Sequence, residues 1–209
     1  MDAEPDAPAA VETAGRSRLF AVVYVVAAVV LLVDQGTKIW ALNSLSPGVP
    51  TNLVGSLLRL DLIRNPGAAF SIGTNATWLL VLIGVVVLAW VALAIRKIGS
   101  VGWAVALGLL LGGALGNLVD RFFRAPGPGR GQVVDFIDYA GLFIGNVADI
   151  AIVVAAAVIV VLALRGVALS GERVHEGRGR HTGSGQDGSG HDTGTASDGD
   201  REGDEGSDG

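Results

Sequence analysis

The chain has 209 residues, half of them apolar, with a formal charge of −5 and no cysteine. Disulfides, thiol nucleophiles and cysteine-based metal sites are excluded. The three histidines, His175, His181 and His191, all lie in a polar C-terminal tail, which removes Ser-His-Asp catalysis, HExxH zinc chemistry and histidine relays from the apolar part.

Residues 1–17, with Pro5 and Pro8, read as a disordered extension. The first span is predicted over about 18–41: its apolar run, residues 19–33, reaches membrane length only by taking in Asp34 and Lys38. Arg16 and Arg18 precede it as they would a signal peptide, but no small-residue cleavage site follows. Residues 42–75 form a loop region, whose weak alternation around 57–63 suggests short strands. A second span is predicted over 76–96 and a third over 101–120, joined by a tight turn at 96–100. Their charge-free cores, residues 78–95 and 101–119, can each cross roughly 30 Å of hydrocarbon. A second loop (121–138) carries the turn signal Arg124-Ala-Pro-Gly-Pro-Gly-Arg130. The fourth span is predicted over 139–165, again polar inside one end. Residues 166–209, rich in Gly, Ser, Asp and Thr, read as a disordered acidic tail; from residue 171 on there are ten acidic and four basic residues, which leaves residues 1–170 at about +1.

Four spans place both termini on one side. Arg16, Arg18, Arg96, Lys97 and Arg165 flank that face, which the positive-inside rule makes cytoplasmic. Lys38, Arg59, Arg64, Arg121, Arg124 and Arg130 fall on the other side and weaken the count. Trp40, Trp78, Phe122, Phe123, Tyr139 and Phe143 gather at that outer end as an interfacial belt. Asp34, Lys38, Asn117, Asp120, Arg121, Asp135, Asn146 and Asp149 fall there too.

The motifs carry the chemistry. Asp34-Gln-Gly-Thr-Lys38 sets an acid and a base four apart on one helix face, either an ion pair closing the helix or support for a site. In Asn65-Pro-Gly-Ala-Ala-Phe-Ser71, Asn65 either offers its amide to a substrate or makes a turn. Gly112-Gly-Ala-Leu-Gly-Asn-Leu-Val-Asp-Arg121 combines packing glycines with Asn117 and Asp120 on one face, followed by Arg121 as a clamp for a carbonyl or phosphate. Asp135 and Asp149 are the sharpest pair. Two close carboxylates share a proton, so one can take a proton from water while the other donates to a carbonyl. Asp138 is a rival partner for Asp135, and two independent capping aspartates remain an alternative.

Together, Asp34–Lys38, Asn65–Ser71, Gly112–Arg121, Val133-Val-Asp-Phe-Ile137 and Asn146-Val-Ala-Asp149 resemble, in order, the motifs of lipoprotein signal peptidase (signal peptidase II), a bacterial membrane enzyme family. The resemblance covers roughly residues 18–165. It implies an all-α membrane protein with four transmembrane helices, and a small extracytoplasmic β-sheet and short helix between spans. It implies an aspartic endopeptidase of the cell membrane, both termini cytoplasmic and the site near the outer leaflet. Cleavage falls before a diacylglyceryl-modified cysteine. Asp135 and Asp149 match the catalytic aspartates. Asn65, Asn117, Arg121 and Asn146 match polar residues around the site, and Asp34, Lys38 and Asp120 match supporting ones. No cofactor, metal or nucleic acid is expected; the partners are lipid-modified prolipoproteins and membrane lipids, and the chain is expected to act as a monomer. Two positions depart from the family pattern: Gly145 stands where Phe is usual, and Ile150 where a small polar residue is frequent. Phe143 is positioned to fill the missing aromatic volume.

Two other classes stay open on the residues alone: a carboxylate-based proton or ion carrier, and a scaffold that recruits partners through its tail.

Overall fold

The structure, a computed structural model, describes residues 7–67 and 77–172, with side chains from Gly15 onward. Its elements are α1 (Ala7–Ser44), β1 (Thr51–Val54), β2 (Leu58–Asn65), α2 (Thr77–Ile95), α3 (Val101–Phe123), β3 (Val133–Tyr139), β4 (Phe143–Gly145) and α4 (Val147–Leu164). All four helices are long and apolar enough to cross a membrane, and the chain is a multi-pass membrane protein.

α3 is the central helix: half of its apolar stretch is buried, against 17 % in each of the other three. Its glycines explain why. A Cβ on Gly108 would lie 2.8 Å from the Val23 carbonyl oxygen, and one on Gly112 2.7 Å from that of Ala27, so α1 rests directly on the α3 backbone. On the neighbouring face a Cβ on Gly113 would lie 2.6 Å from the Ala148 carbonyl, where α4 seats. Gly112→Val should therefore force α1 away from α3 and cost at least about 1–3 kcal/mol, the range for overpacking. Thermal unfolding in detergent would read this as a lowered midpoint.

At one end of the bundle α3 starts from Ser100, whose hydroxyl accepts from the Trp103 amide at 3.3 Å. The Trp103 indole donates to the Val167 carbonyl (3.0 Å), and the Gly99 amide donates to that of Leu169 (2.9 Å). Leu169 packs against the core formed by Val23, Val91, Ile95 and Leu107. Residues 166–172 are thus pinned to the α2–α3 turn and do not belong to the tail as expected; residues 173–209 lie outside the described part. At the other terminus helix extends back to Ala7, where disorder was expected through residue 17. Pro8 falls in the first turn, the one place where a helix tolerates its missing N–H, and alanines follow it.

The other end carries an antiparallel sheet in the order β1-β2-β3-β4. Among the described residues between the spans no helix accompanies it; residues 68–76, including part of the Asn65 motif, lie outside the description. On β3, Val134 and Phe136 are buried against Ala41 and Leu62, which joins the sheet to the end of α1. Trp40 adds an edge-on contact to Phe136 at 6.3 Å.

One expectation changes here, and one rival pairing is excluded. α4 begins at Val147 rather than near 139, because residues 139–146 form the β3–β4 hairpin. Ala140 and Gly141 both take positive φ (56° and 76°), and the Leu142 amide closes the turn on the Tyr139 carbonyl at 2.9 Å. Asp138 is not a partner of Asp135. On a strand an odd spacing sends the two side chains to opposite faces. Asp138 ion-pairs with its cross-strand neighbour Arg59 and accepts the Gly141 amide at 2.7 Å.

Candidate active site

Asp135 is buried on β3, on the face opposite Val134 and Phe136. The Asn65 amide donates to its Oδ2 at 2.8 Å, reaching across the β2–β3 ladder. The Asn146 amide donates to its Oδ1 at 2.6 Å. Burial pushes its pKa up to about 6; the two amide donors pull it down, and the charge of Asp149 adds to the rise.

Asp149 sits in the first turn of α4 and closes a capping box. The Asn146 side chain accepts from the Asp149 amide at 3.1 Å, and Asp149 Oδ2 accepts from the Asn146 amide at 3.1 Å. The capping alternative is thus correct for one oxygen. The other, Oδ1, accepts from the Asn117 amide at 2.8 Å. Asn146 Nδ2 also reaches Asn117 Oδ1 at 3.2 Å. A single asparagine therefore touches both carboxylates: Asp135 through its side chain, Asp149 through its backbone. This double role is invisible in the spacing of Asn146 and Asp149.

Behind this lies a buried ion network. Lys38 Nζ, fully buried, lies 2.8 Å from Asp34 Oδ2 and 2.9 Å from Asp120 Oδ2. Asp34 Oδ1 accepts the Ala148 amide at 2.9 Å, and Asp120 Oδ2 accepts the Val134 amide at 3.1 Å. One carboxylate thus fixes α4 and the other fixes β3. Gly116 makes room, since a Cβ there would sit 2.5 Å from Asp34 Oδ2. Sequence reasoning missed two members. Gln35 donates to Asp34 Oδ2 (3.0 Å) and the Gly116 carbonyl (3.1 Å), and Arg124 Nε lies 2.5 Å from Asp120 Oδ1. The signal for Arg124 was present, four residues after Asp120.

Arg121 is buried and donates to the Gly131 carbonyl at 3.3 Å. It also lines a cavity of about 440 Å³ with Asn65, Asn117, Asp135 and Asp149. From these polar groups the cavity continues along apolar side chains of α2 and α3, including Leu80, Ile83, Val87 and Leu110. Every site residue named from the sequence lies in this cavity wall or the network behind it. α2 carries no charged residue, and the charged groups of α3 lie at its C-terminal end. A carrier's relay across the bilayer therefore has no support.

The departures have distinct consequences. A Cβ at Gly145 would lie 3.0 Å from Asp149 Oδ2, so the glycine leaves that carboxylate uncrowded. Phe143 does line the cavity, and it stacks on Tyr139 with ring centroids 4.4 Å apart. Ile150 is 41 % exposed.

The charge of Asp149 raises the pKa of Asp135. Asp149→Asn should therefore lower it, extending the ionised range of Asp135 toward acid. Carboxyl resonances of labelled Asp135 followed across pH would show the titration midpoint fall below about 6; an unchanged midpoint would show that the two groups are not coupled.

A profile for "Signal peptidase (SPase) II" matches residues 26–165. A relative from Rhodococcus jostii named lipoprotein signal peptidase is 51% identical over 150 residues, covering 72% of this chain and 76% of its own. One of the same name from Mycolicibacterium smegmatis is 46% identical over 170 residues, covering 78% of this chain and 71% of its own. A solved bacterial membrane enzyme at 27% identity superposes with a TM-score of 0.62, covering 69% of this chain and 94% of its own. With residues 26–165 of its 209 matched by the profile and 72–78% of its length by these relatives, this chain belongs to the signal peptidase II family of membrane proteases.

Proposed function

We propose that this protein removes the signal peptide from diacylglyceryl-modified bacterial prolipoproteins, cleaving before the lipidated cysteine, with Asp135 and Asp149 as its catalytic pair. The observation that carries this reading is the pair itself: two carboxylates from separate elements, bridged by Asn146, open on one cavity whose far wall is apolar. Asp135, with its pKa raised to about 6, takes up a proton more readily than an ordinary carboxylate. Asp149 takes a proton from water, and the hydroxide attacks the scissile carbonyl. Asp135 gives its proton to the developing oxyanion. Collapse of the tetrahedral intermediate breaks the C–N bond, and the cysteine's amine leaves with a proton from the pair. Asn65 and Arg121 face the same cavity and are placed to hold the substrate backbone. The apolar wall suits acyl chains or a signal-peptide helix.

The site lies near the outer leaflet and both termini face the cytoplasm. Arg16, Arg18, Arg96, Lys97 and Arg165 are exposed at the opposite end of the bundle. Three of the outer basic residues that blurred the charge count are paired with acids: Lys38 with Asp34 and Asp120, Arg124 with Asp120, and Arg59 with Asp138. The aromatic belt supports the same frame, with Trp40, Trp78, Phe123 and Phe143 all exposed.

The test compares a prolipoprotein peptide carrying the diacylglyceryl thioether with the same peptide bearing a free thiol. Cleavage before the modified cysteine, seen by mass spectrometry, is expected only for the lipidated form. Equal cleavage of both would overturn the substrate assignment.

A further inference from the structure

We propose that Lys38 is a positioning residue for the reaction: its ammonium fixes the rotation of the Asn117 carboxamide and, through it, holds the Asp149 carboxylate in place for its part in the pair. This rests on the assignment of Asp135 and Asp149 made above.

An ammonium has three N–H donors, and Lys38 commits one to each of three acceptors. Two are Asp34 Oδ2 at 2.8 Å and Asp120 Oδ2 at 2.9 Å. These alone would make a buried structural ion pair. The third is Asn117 Oδ1 at 3.1 Å. That oxygen also accepts from Asn146 Nδ2 at 3.2 Å, while Asn117 Nδ2 donates to Asp149 Oδ1 at 2.8 Å. Turning the carboxamide over would set its NH₂ against the ammonium and against the Asn146 NH₂, and its oxygen against the Asp149 carboxylate. Three hydrogen bonds would become three repulsive contacts. Lys38 supplies the charged one, in a site where no water screens it, since its side chain is fully buried.

The consequence falls on Asp149, whose Oδ1 is oriented by the Asn117 donor that Lys38 holds. Other groups act on the pair as well. Asp135 and Tyr139 on β3 and Arg121 on α3 interact electrostatically with Asp149. Asp34 on α1 fixes the α4 backbone at Ala148, and Asp120 on α3 shares the ammonium. Asn146 shares the Asn117 oxygen with Lys38, and the Lys38 charge also reaches Asp135 directly.

Lys38→Met alone leaves Asp34 and Asp120 facing an apolar chain, and this variant can fail to fold. The charge-balanced Asp34→Asn/Lys38→Met keeps the network neutral, with Asp120 still paired to Arg124. Asn117→Ala removes the intermediate group and leaves the Lys38 ion pairs in place. The full-length protein, these variants and their combination are assayed on a diacylglyceryl-modified peptide. The expected result is a kcat lowered by about tenfold or more, with KM within about twofold. Asn117→Ala should give a similar loss, and the combination no further loss. A KM that rises in step with the fall in kcat, or losses that multiply in the combination, would assign Lys38 a structural role only and overturn the inference. Asp149→Asn, run alongside, separates the two levels: near-normal cleavage there would remove the catalytic assignment itself.

Discussion

Asp135→Asn and Asp149→Asn are each expected to lower prolipoprotein cleavage by on the order of a thousandfold or more, with the fold retained. The chemistry requires one carboxylate to accept a proton and the other to give one, and an amide does neither at neutral pH. The geometry explains why folding should survive. Asn at 149 keeps an oxygen for the capping interaction with the Asn146 amide, and α4 retains its second anchor through Ala148 and Asp34. Asn at 135 keeps an oxygen for one of its two amide donors, Asn65 or Asn146. Relief of a buried carboxylate held near pKa 6 offsets the lost bond. Cleavage kinetics with thermal unfolding of the same preparations checks both halves of the expectation.

Asp120→Ala is expected to do the opposite: to destabilise the sheet-bearing end of the bundle, and to lose activity only as a result. Asp120 is fully buried and has four partners. They are Lys38 Nζ at 2.9 Å, Arg124 Nε at 2.5 Å, the Val134 amide at 3.1 Å and Gln35 Nε2 at 3.3 Å. Removing one member of a buried ion pair costs about 3–5 kcal/mol, because the other charge remains buried without compensation. The Val134 amide would lose its partner as well, on the strand that carries Asp135. A large fall in the unfolding midpoint is expected, together with a smaller fall in activity measured well below that midpoint. A variant as stable as the parent would show that the network does not hold the fold.

The sequence made the spans and the placement of charge legible because a charged side chain in an apolar run has few explanations. The boundaries of the fourth span were not legible. Residues 139–165 read as one span, and a short buried strand and a helix share that signature. The break lies in backbone conformation, with Ala140 at positive φ, a state its side chain does not advertise. The same ambiguity left Asp138 as a rival: three residues apart on a helix would be neighbours, but on β3 they face opposite ways. The glycines of α3 were correctly read as packing surface, yet the partner of each came only from the structure. Gly116 faces a carboxylate, which spacing cannot indicate. The five motifs gave the site residues through family resemblance. How they connect, with Asn146 joined to both aspartates and Lys38 to Asn117, required coordinates.

The central claim is that Asp135 and Asp149 act as one unit. The most direct test is the rate of the double variant Asp135→Asn/Asp149→Asn, set beside the two single variants on a lipidated prolipoprotein. Groups that act as one unit show strongly non-additive losses, so the double variant should lose no more than the worse single variant, leaving the same residual rate. Losses that multiply, or a single variant that cleaves at near the parent rate, would contradict joint catalysis by this pair.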